Sequence, residues 1–246
     1  MTRNNSKIDQ GFILCAGFGT RMRPLTDTMP KPMVNVNGKP MVDHVLDSFT
    51  AHGMTRAVIN THYLGDVLKD HLNSRKDITI SLSHENEILD TGGGIVNARH
   101  LLKDDAFYVS SGDSYLQDGQ GKPALSRMED AWDAGKMDIL ILLQPVKNMI
   151  LTHGVGDYDL DKDGRAIRSL DQNGAYMFTS LRINAPPIFD DAPSGPFSYL
   201  QLLDQAQARG RLYGIVHKGD WHHISTPDDV TRVNDALSVQ DDVGAS

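Results

Sequence analysis

The fold of this chain is decided by the stretch Leu14-Cys15-Ala16-Gly17-Phe18-Gly19-Thr20-Arg21-Met22-Arg23-Pro24-Leu25-Thr26, with Pro30-Lys31-Pro32 following it. The apolar run 11–16 has the pattern of a buried strand that leads into a loop. Glycines after such a strand let backbone N–H groups approach phosphate oxygens closely. Arg21 and Arg23 can supply forked donors, and Lys31 between two prolines suits a fixed positive charge. The stretch therefore predicts a phosphate-binding loop.

The sequence excludes two familiar phosphate-binding motifs. A dinucleotide fingerprint G-x-G-x-x-G requires glycine where Met22 stands. A Walker A loop requires G-K-[ST], but the pairs Gly38-Lys39 and Gly121-Lys122 are both followed by proline. The loop is of another kind.

Hydrophobic periodicity outward from the loop alternates between strands and helices. It predicts strands at 57–59, 78–82, 106–109 and 138–143, and helices at 40–52, 64–72, from near Gly94 onward, and at 124–134. The segment 91–94 reads as a loop before the third helix. Such alternation predicts an α/β fold with a Rossmann-like, mostly parallel sheet covered by helices on both faces.

The C-terminal part reads as a small β-rich lid on this sheet. A hairpin is predicted at 158–168, a strand at 175–183, a helix at 199–208, a strand at 212–217, and a last helix that begins near Pro227 and fades after Leu237. Residues 238–246 are expected to be a frayed tail. The run 159–164 copies the start of an EF-hand loop, but Leu170 stands where the bidentate glutamate belongs, so we interpret it as a hairpin turn.

Composition limits the class of protein. The 246 residues are 39% hydrophobic and 23% charged, with a net charge of −8 and a single cysteine, Cys15. These values predict a globular cytoplasmic protein that binds neither membranes nor nucleic acid, and the polar first ten residues lack the apolar core of a signal peptide. A net negative charge is still compatible with a small anionic substrate.

Two further segments carry candidate ligand-binding residues. Asp113 ends a buried strand, at the edge where open α/β sheets bind ligands, so it either binds a metal or caps a turn. The glycines Gly92, Gly93 and Gly94 exceed what a turn needs, which favours a close approach of their backbone to a ligand.

The string GxGTRxRPLT…PKP resembles the signature of the sugar-1-phosphate nucleotidyltransferases, and the similarity extends from Phe12 to about Leu237. These enzymes join a sugar 1-phosphate to a nucleoside triphosphate and release pyrophosphate. The resemblance implies the nucleotide-diphospho-sugar transferase fold in one domain, 1–246, with a nucleotide-binding core at about 10–145 and a sugar-binding part at about 146–238. The sequence DTGGGI resembles the N-acetylmuramate-1-phosphate uridylyltransferases of bacterial cell-wall recycling, while mannose-1-phosphate guanylyltransferases share many of the same features.

The resemblance also implies roles for individual residues. The catalytic set would be Arg21, Lys31 and Asp113, with Asp113 binding Mg²⁺ and Lys31 neutralising the reacting phosphates. The substrate-binding set would be Ala16, Gly17, Gly19, Thr20 and Arg23 for the nucleotide phosphates, Glu85, Leu89, Gly92 and Gly93 for the base, and Gly156 and Asp157 for the sugar.

One position departs from the family pattern. Relatives have an aspartate two residues after a tryptophan as a second metal ligand, but here His223 follows Trp221 at that distance. Magnesium prefers oxygen ligands, whereas imidazole suits zinc, copper or nickel. His223 is thus a candidate metal ligand, a candidate phosphate contact or a structural residue.

Two other functions compete with nucleotidyl transfer. A non-catalytic nucleotide-sugar sensor is suggested by the missing aspartate. A glycosyltransferase is disfavoured because Asp113-Ser114-Tyr115 lacks the Asp-x-Asp motif. Because the chain has no room for the C-terminal repeats of some relatives, we expect a monomer or simple homodimer.

Overall fold

The computed structural model describes residues 7–244, with side chains described as far as Ser238. The polar residues 1–6 and the last two residues of the predicted tail lie outside it. Within the described range the strands are β1 Gln10–Leu14, β2 Asn35–Val36, β3 Lys39–Pro40, β4 Arg56–Thr61, β5 Thr79–His84, β6 Phe107–Ser111, β7 Tyr115–Gln117, β8 Ile139–Pro145, β9 Tyr158–Leu160, β10 Ala166–Arg168, β11 Tyr176–Asn184, β12 Leu212–Val216 and β13 Asp220–His222. The α-helices are α1 Met41–His52, α2 Gly65–Leu72, α3 Asp90–Ala98, α4 Ala124–Ala131, α5 Leu200–Ala208 and α6 Pro227–Gly244.

One mixed sheet runs through the chain. Strands β6, β1, β4 and β5 are parallel neighbours in that order. Antiparallel β11 lies between β6 and β8, and β12 pairs with β8 in parallel. The predicted hairpin is present as β9 and β10, and it joins β11 at Tyr176. Strands β11 and β12, which the sequence assigns to the second part, therefore extend the central sheet.

Helices cover both faces of this sheet, as predicted. Successive side chains of a strand point to opposite faces, so the β1 residue Ile13 joins the cluster beneath α1, α2 and α4, while Phe12 joins the cluster beneath α3 and α5. A third cluster packs α6 against the loop after β1, through Met22, Ile224 and Val233 among others. This last contact brings the C-terminal part of the chain next to the signature loop.

Two expectations about local structure are wrong. The segment 91–94 is not a loop but the first turn of α3, because the amide groups of Gly92 and Gly93 bond the Phe197 carbonyl and thereby anchor the helix start. The last helix does not fade after Leu237 but continues to Gly244. Its residues up to Leu237 pack in the third cluster, and a helix that has been nucleated propagates one hydrogen bond at a time.

A search of the helices within residues 7–244 finds none that is long and apolar enough to cross a bilayer.

Acid should destabilise the fold through buried histidines. Burial lowers the pKa of His217, whose Nε2 donates to the Gln117 carbonyl at 3.0 Å. The folded state then binds fewer protons than the unfolded state, so this contribution is complete above the unfolded value of about 6.5 and is lost as the pH falls below it. We expect the urea-derived free energy of unfolding to drop from pH 7.5 to 5.5, and His217→Gln to reduce that drop. The exposed His153→Gln is the control, and an equal drop in both variants would contradict the prediction.

Candidate active site

An open cleft with a cavity volume of about 200 Å³ lies at the carboxyl ends of the parallel strands β1, β4 and β6. Ligands of open α/β sheets bind at this edge. Its lining combines the signature loop, the ends of neighbouring strands and the start of α3: Leu14, Cys15, Ala16, Gly17, Gly19, Lys31, Pro32, Asn60, Glu85, Ile88, Asp90, Thr91, Ser111 and Asp113. The predicted residues Ala16, Gly17, Gly19, Lys31, Glu85 and Asp113 are thus brought together.

The signature loop exposes its backbone to this cleft. Gly19 has φ of 63°, and a Cβ there would lie 3.0 Å from side-chain atoms of Lys31 and Thr26. Thr26 donates its hydroxyl to the Gly19 carbonyl at 2.9 Å, which fixes the turn. Nothing lies within 4 Å of the corresponding position on Gly17. A loop held from behind and open in front suits the close approach of phosphate oxygens.

The loop's arginines lie at the margin of the cleft. Thr20, Arg21 and Arg23 are exposed and do not line it. Arg23 forms an exposed ion pair with Asp27 at 3.5 Å. Arg21 is close enough to His223 to help lower the pKa of that imidazole. The binding of nucleotide phosphates by Thr20, Arg21 and Arg23 stays a prediction.

Lys31 and Asp113 meet inside the cleft although 82 residues separate them. The Lys31 Nζ donates to Asp113 Oδ2 at 2.5 Å. Burial by itself would raise the pKa of Asp113, but the Lys31 ammonium, aided by Ser111 and His223, holds it below the usual value. Asp113 is therefore an ionised carboxylate with the Lys31 ammonium beside it.

His223 lies next to this ion pair. Burial and the Lys31 ammonium lower its pKa, while Asp113 acts in the opposite direction. Its Nε2 lies 2.8 Å from Ser225 Oγ, and its backbone amide donates to Thr152 Oγ1 at 3.1 Å. Protonation of the imidazole at this position is therefore disfavoured, and its neighbours hold it in place.

Asn60 is a site residue that sequence reasoning missed. Its Oδ1 accepts the Cys15 backbone N–H at 2.8 Å, and its Nδ2 donates to Glu85 Oε1 at 2.7 Å. Glu85 Oε2 in turn accepts the Leu89 N–H at 2.9 Å. This chain of bonds fixes the signature loop relative to the segment before α3. The one available signal was a polar side chain at the end of a buried apolar strand.

The glycines in the first turn of α3 pack against other residues of the protein. A Cβ on Gly92 would lie 2.3 Å from the Phe197 ring, and one on Gly93 would lie 2.4 Å from the Gly195 carbonyl oxygen. Both residues are buried behind the cleft wall formed by Asp90 and Thr91. Their absence of side chains is thus explained by packing, and a contact with the base stays a prediction.

The predicted sugar residue Asp157 lies near His223. The Asp157 carboxylate accepts the Phe178 N–H at 3.0 Å. Burial raises the pKa of Asp157, and a positive charge on His223 would lower it, so the two side chains are neighbours. Gly156 packs on Gly174, where a Cβ would collide with the backbone. Asp157 and Gly156 do not line the cleft, and a contact with the sugar stays a prediction.

The donor set fits a divalent cation that arrives with a nucleotide. Within the part of the chain whose side chains are described, no three His, Cys, Asp or Glu side chains are grouped as a metal cage. Magnesium needs no such cage, because it keeps several waters and binds one or two carboxylates together with substrate phosphates. Asp113 meets that requirement, and the imidazole of His223 is a further donor beside it.

Comparison with known proteins identifies the family of this chain. The nucleotidyl transferase family model matches residues 10–170. The chain is 35% identical over 222 residues to the N-acetylmuramate alpha-1-phosphate uridylyltransferase of Caulobacter vibrioides, which covers 88% of this chain and 91% of that protein. It is 30% identical over 234 residues to the enzyme of the same name from Neisseria meningitidis serogroup B, over 94% of this chain and 97% of that protein.

A solved structure confirms the predicted fold. HddC from Yersinia pseudotuberculosis, crystallised with GMP-PN, superposes with a TM-score of 0.75 at 24% identity, over 94% of this chain and all of the other. The chain therefore belongs to the nucleotidyl transferase family, among the sugar-1-phosphate nucleotidyltransferases.

Proposed function

We propose that this enzyme transfers a uridylyl group from UTP to N-acetylmuramate 1-phosphate, giving the UDP-sugar and pyrophosphate in cytoplasmic cell-wall recycling. The observation that carries the proposal is the 35% identity to the Caulobacter uridylyltransferase over nearly the full length of both proteins. The presence of Lys31 and Asp113 in one cleft supports catalysis over a sensor that only binds nucleotide.

The reaction is an in-line displacement at the α-phosphorus of the triphosphate. An oxygen of the sugar phosphate forms the new P–O bond as the bond to the bridging oxygen breaks, and pyrophosphate leaves with that electron pair. No proton has to move, because the attacking phosphate is already an anion. The protein contributes mainly position and charge neutralisation.

Each part of the cleft has a role in this step. The backbone of Ala16, Gly17 and Gly19, with Thr20, holds the triphosphate, and Arg21 and Arg23 bind the phosphates that leave as pyrophosphate. The Lys31 ammonium reduces the repulsion between the sugar phosphate and the α-phosphate.

Asp113 holds the divalent cation, for which we propose Mg²⁺, with His223 beside it. Bound there, the ion would neutralise charge on the α-phosphate and leaving group. The base binds beside Glu85 and Leu89, in front of the wall behind which Gly92 and Gly93 are packed. Gly156 and Asp157 contact the sugar.

A substrate panel tests the proposal. Pyrophosphate release is measured with Mg²⁺ for UTP, GTP, CTP and dTTP, each against N-acetylmuramate, mannose and glucose 1-phosphates. We expect turnover with UTP and N-acetylmuramate 1-phosphate to exceed every other pair. Preference for GTP with mannose 1-phosphate would replace the proposed substrates with those of the guanylyltransferases. Nucleotide binding by calorimetry without any turnover would contradict the proposal and favour a sensor.

A further inference from the structure

Strand β11 changes register beside the turn that carries Asp113. Its pairing with β8 is interrupted between Phe178 and Arg182. Within this interruption Ser180 has φ of 69°. Residues with a Cβ rarely adopt this left-handed conformation, and such strain persists only where the surrounding structure fixes it.

A buried arginine holds Ser180 from behind. Arg182 is 2% exposed, and its guanidinium carbon lies 3.7 Å from the centre of the Tyr199 ring. Its Nη1 donates to the Ser180 carbonyl at 2.9 Å. No carboxylate forms an ion pair with this cation among the side chains the structure describes. Burying a cation without a carboxylate is costly, and here its directed hydrogen bond goes to the strained residue.

The Ser180 hydroxyl is directed at the end of β6. The pairing of β6 with β11 extends to Val109 opposite Arg182. Two residues later, the Ser111 N–H donates to Ser180 Oγ at 3.0 Å. The hydroxyl therefore accepts a hydrogen bond from Ser111, just beyond the last regular pair of β6 with β11. The register shift in the pairing of β11 with β8 lies at the same point.

Ser111 begins the turn that presents Asp113. The Ser114 N–H closes this turn on the Ser111 carbonyl at 3.3 Å, and the Gly112 N–H donates to the Leu14 carbonyl of β1 at 2.9 Å. The turn is thus attached to β1 on one side and to Ser180 on the other. The Ser111 side chain also reaches the Asp113 carboxylate. Loss of the Ser180 contact would leave the turn attached to β1 but not to β11.

We propose that Ser180, held by Arg182, is a positioning residue that fixes the Asp113 carboxylate through Ser111. The inference rests on the proposed role of Asp113 in holding the cation. Ser180 acts through the turn and its hydroxyl contacts the backbone of Ser111, so its removal should affect the chemical step and the metal more than the affinity for the triphosphate.

Three substitutions separate the hydroxyl from the backbone conformation. Ser180→Thr keeps the hydroxyl but is strained at positive φ. Ser180→Gly removes the hydroxyl and relieves the strain, and Ser180→Ala removes the hydroxyl and keeps the strain. We expect the Gly and Ala variants to lose about 10- to 100-fold in kcat, and the Thr variant to retain more activity than either. The KM for the triphosphate should change little in all three.

A binding measurement complements the kinetics. Mn²⁺ serves as the probe, and its dissociation constant from the complex of enzyme with a non-hydrolysable triphosphate is measured by electron paramagnetic resonance. We expect it to rise about 10- to 100-fold in the Gly and Ala variants, because a misplaced ligand binds a metal more weakly. If Ser180→Thr does not fold by thermal melting, Ser180→Asn makes the same comparison, since Asn tolerates the left-handed region and carries an acceptor oxygen.

The relative activities of the Gly and Thr variants test the role of the Ser180 hydroxyl. A Gly variant as active as the Thr variant, or more active, overturns the positioning role of the hydroxyl. Asp113→Asn is measured in parallel as the reference. If that variant retains turnover, the proposed role of Asp113 fails, whereas an inactive Asp113→Asn beside a fully active Ser180→Gly shows that only the role of Ser180 is wrong.

Discussion

Replacing Asp113 with Asn is expected to lower kcat by at least about 10³-fold, on the scale of removing a group that neutralises charge in phosphoryl transfer. The substitution is nearly isosteric, so it removes the negative charge without emptying the site. Without that charge the cation loses its protein carboxylate, and two phosphate groups must approach each other with less neutralisation. Pyrophosphate release with the preferred substrates measures the loss.

The control for this variant is a surface aspartate. Asp104 pairs with Arg99 at 2.7 Å and its side chain is 92% exposed, so Asp104→Asn should leave turnover unchanged. Calorimetry should show that Asp113→Asn still binds the triphosphate without metal. Turnover within tenfold of the parent enzyme would be incompatible with Asp113 holding the cation.

Replacing Lys31 with Met is expected to lower kcat by about 10²–10³-fold, the range found when one preorganised donor to a developing charge is removed. Met keeps the length and the apolar packing of the side chain but not the ammonium. The same change removes the charge that counteracts burial at Asp113, so the pKa of Asp113 should rise. The acidic limb of the pH profile should therefore move to higher pH in this variant, since Asp113 must be ionised.

Lys136→Met provides the matched comparison for Lys31→Met. Lys136 lies on the surface, 3.8 Å from Asp133, with its side chain 65% exposed. The substitution Lys136→Met should alter neither kcat nor the pH profile. An unchanged acidic limb in Lys31→Met would show that the ammonium does not set the ionisation of Asp113, even if the rate falls.

The nucleotide half of the fold could be predicted from the sequence because its signals are local. A buried strand followed by glycines and basic residues indicates a phosphate loop within some twenty letters. Alternating apolar periods indicate a mostly parallel sheet with helices on both faces. The family resemblance places Lys31 and Asp113 in one catalytic set, but it does not predict the ion pair between them.

Contacts between distant segments could not be predicted in this way. The glycines of α3 read as a loop for a ligand, yet their space is taken by Phe197 and Gly195, which are about a hundred residues away. The polar end of α6 reads as a frayed tail, yet the helix persists to Gly244. At the glycines, tertiary packing outweighed the local pattern, which carries no information about the partner.

The sequence by itself determined the family signature, the fold class and the identity of the charged groups, because each depends on neighbouring residues or on regular spacing. The tertiary structure decided how those groups are held. Asn60 joins the signature loop to Glu85, and Ser180 joins β11 to the turn of Asp113. Such bonds depend on which strands lie side by side and where a register shifts, and single-sequence periodicity specifies neither.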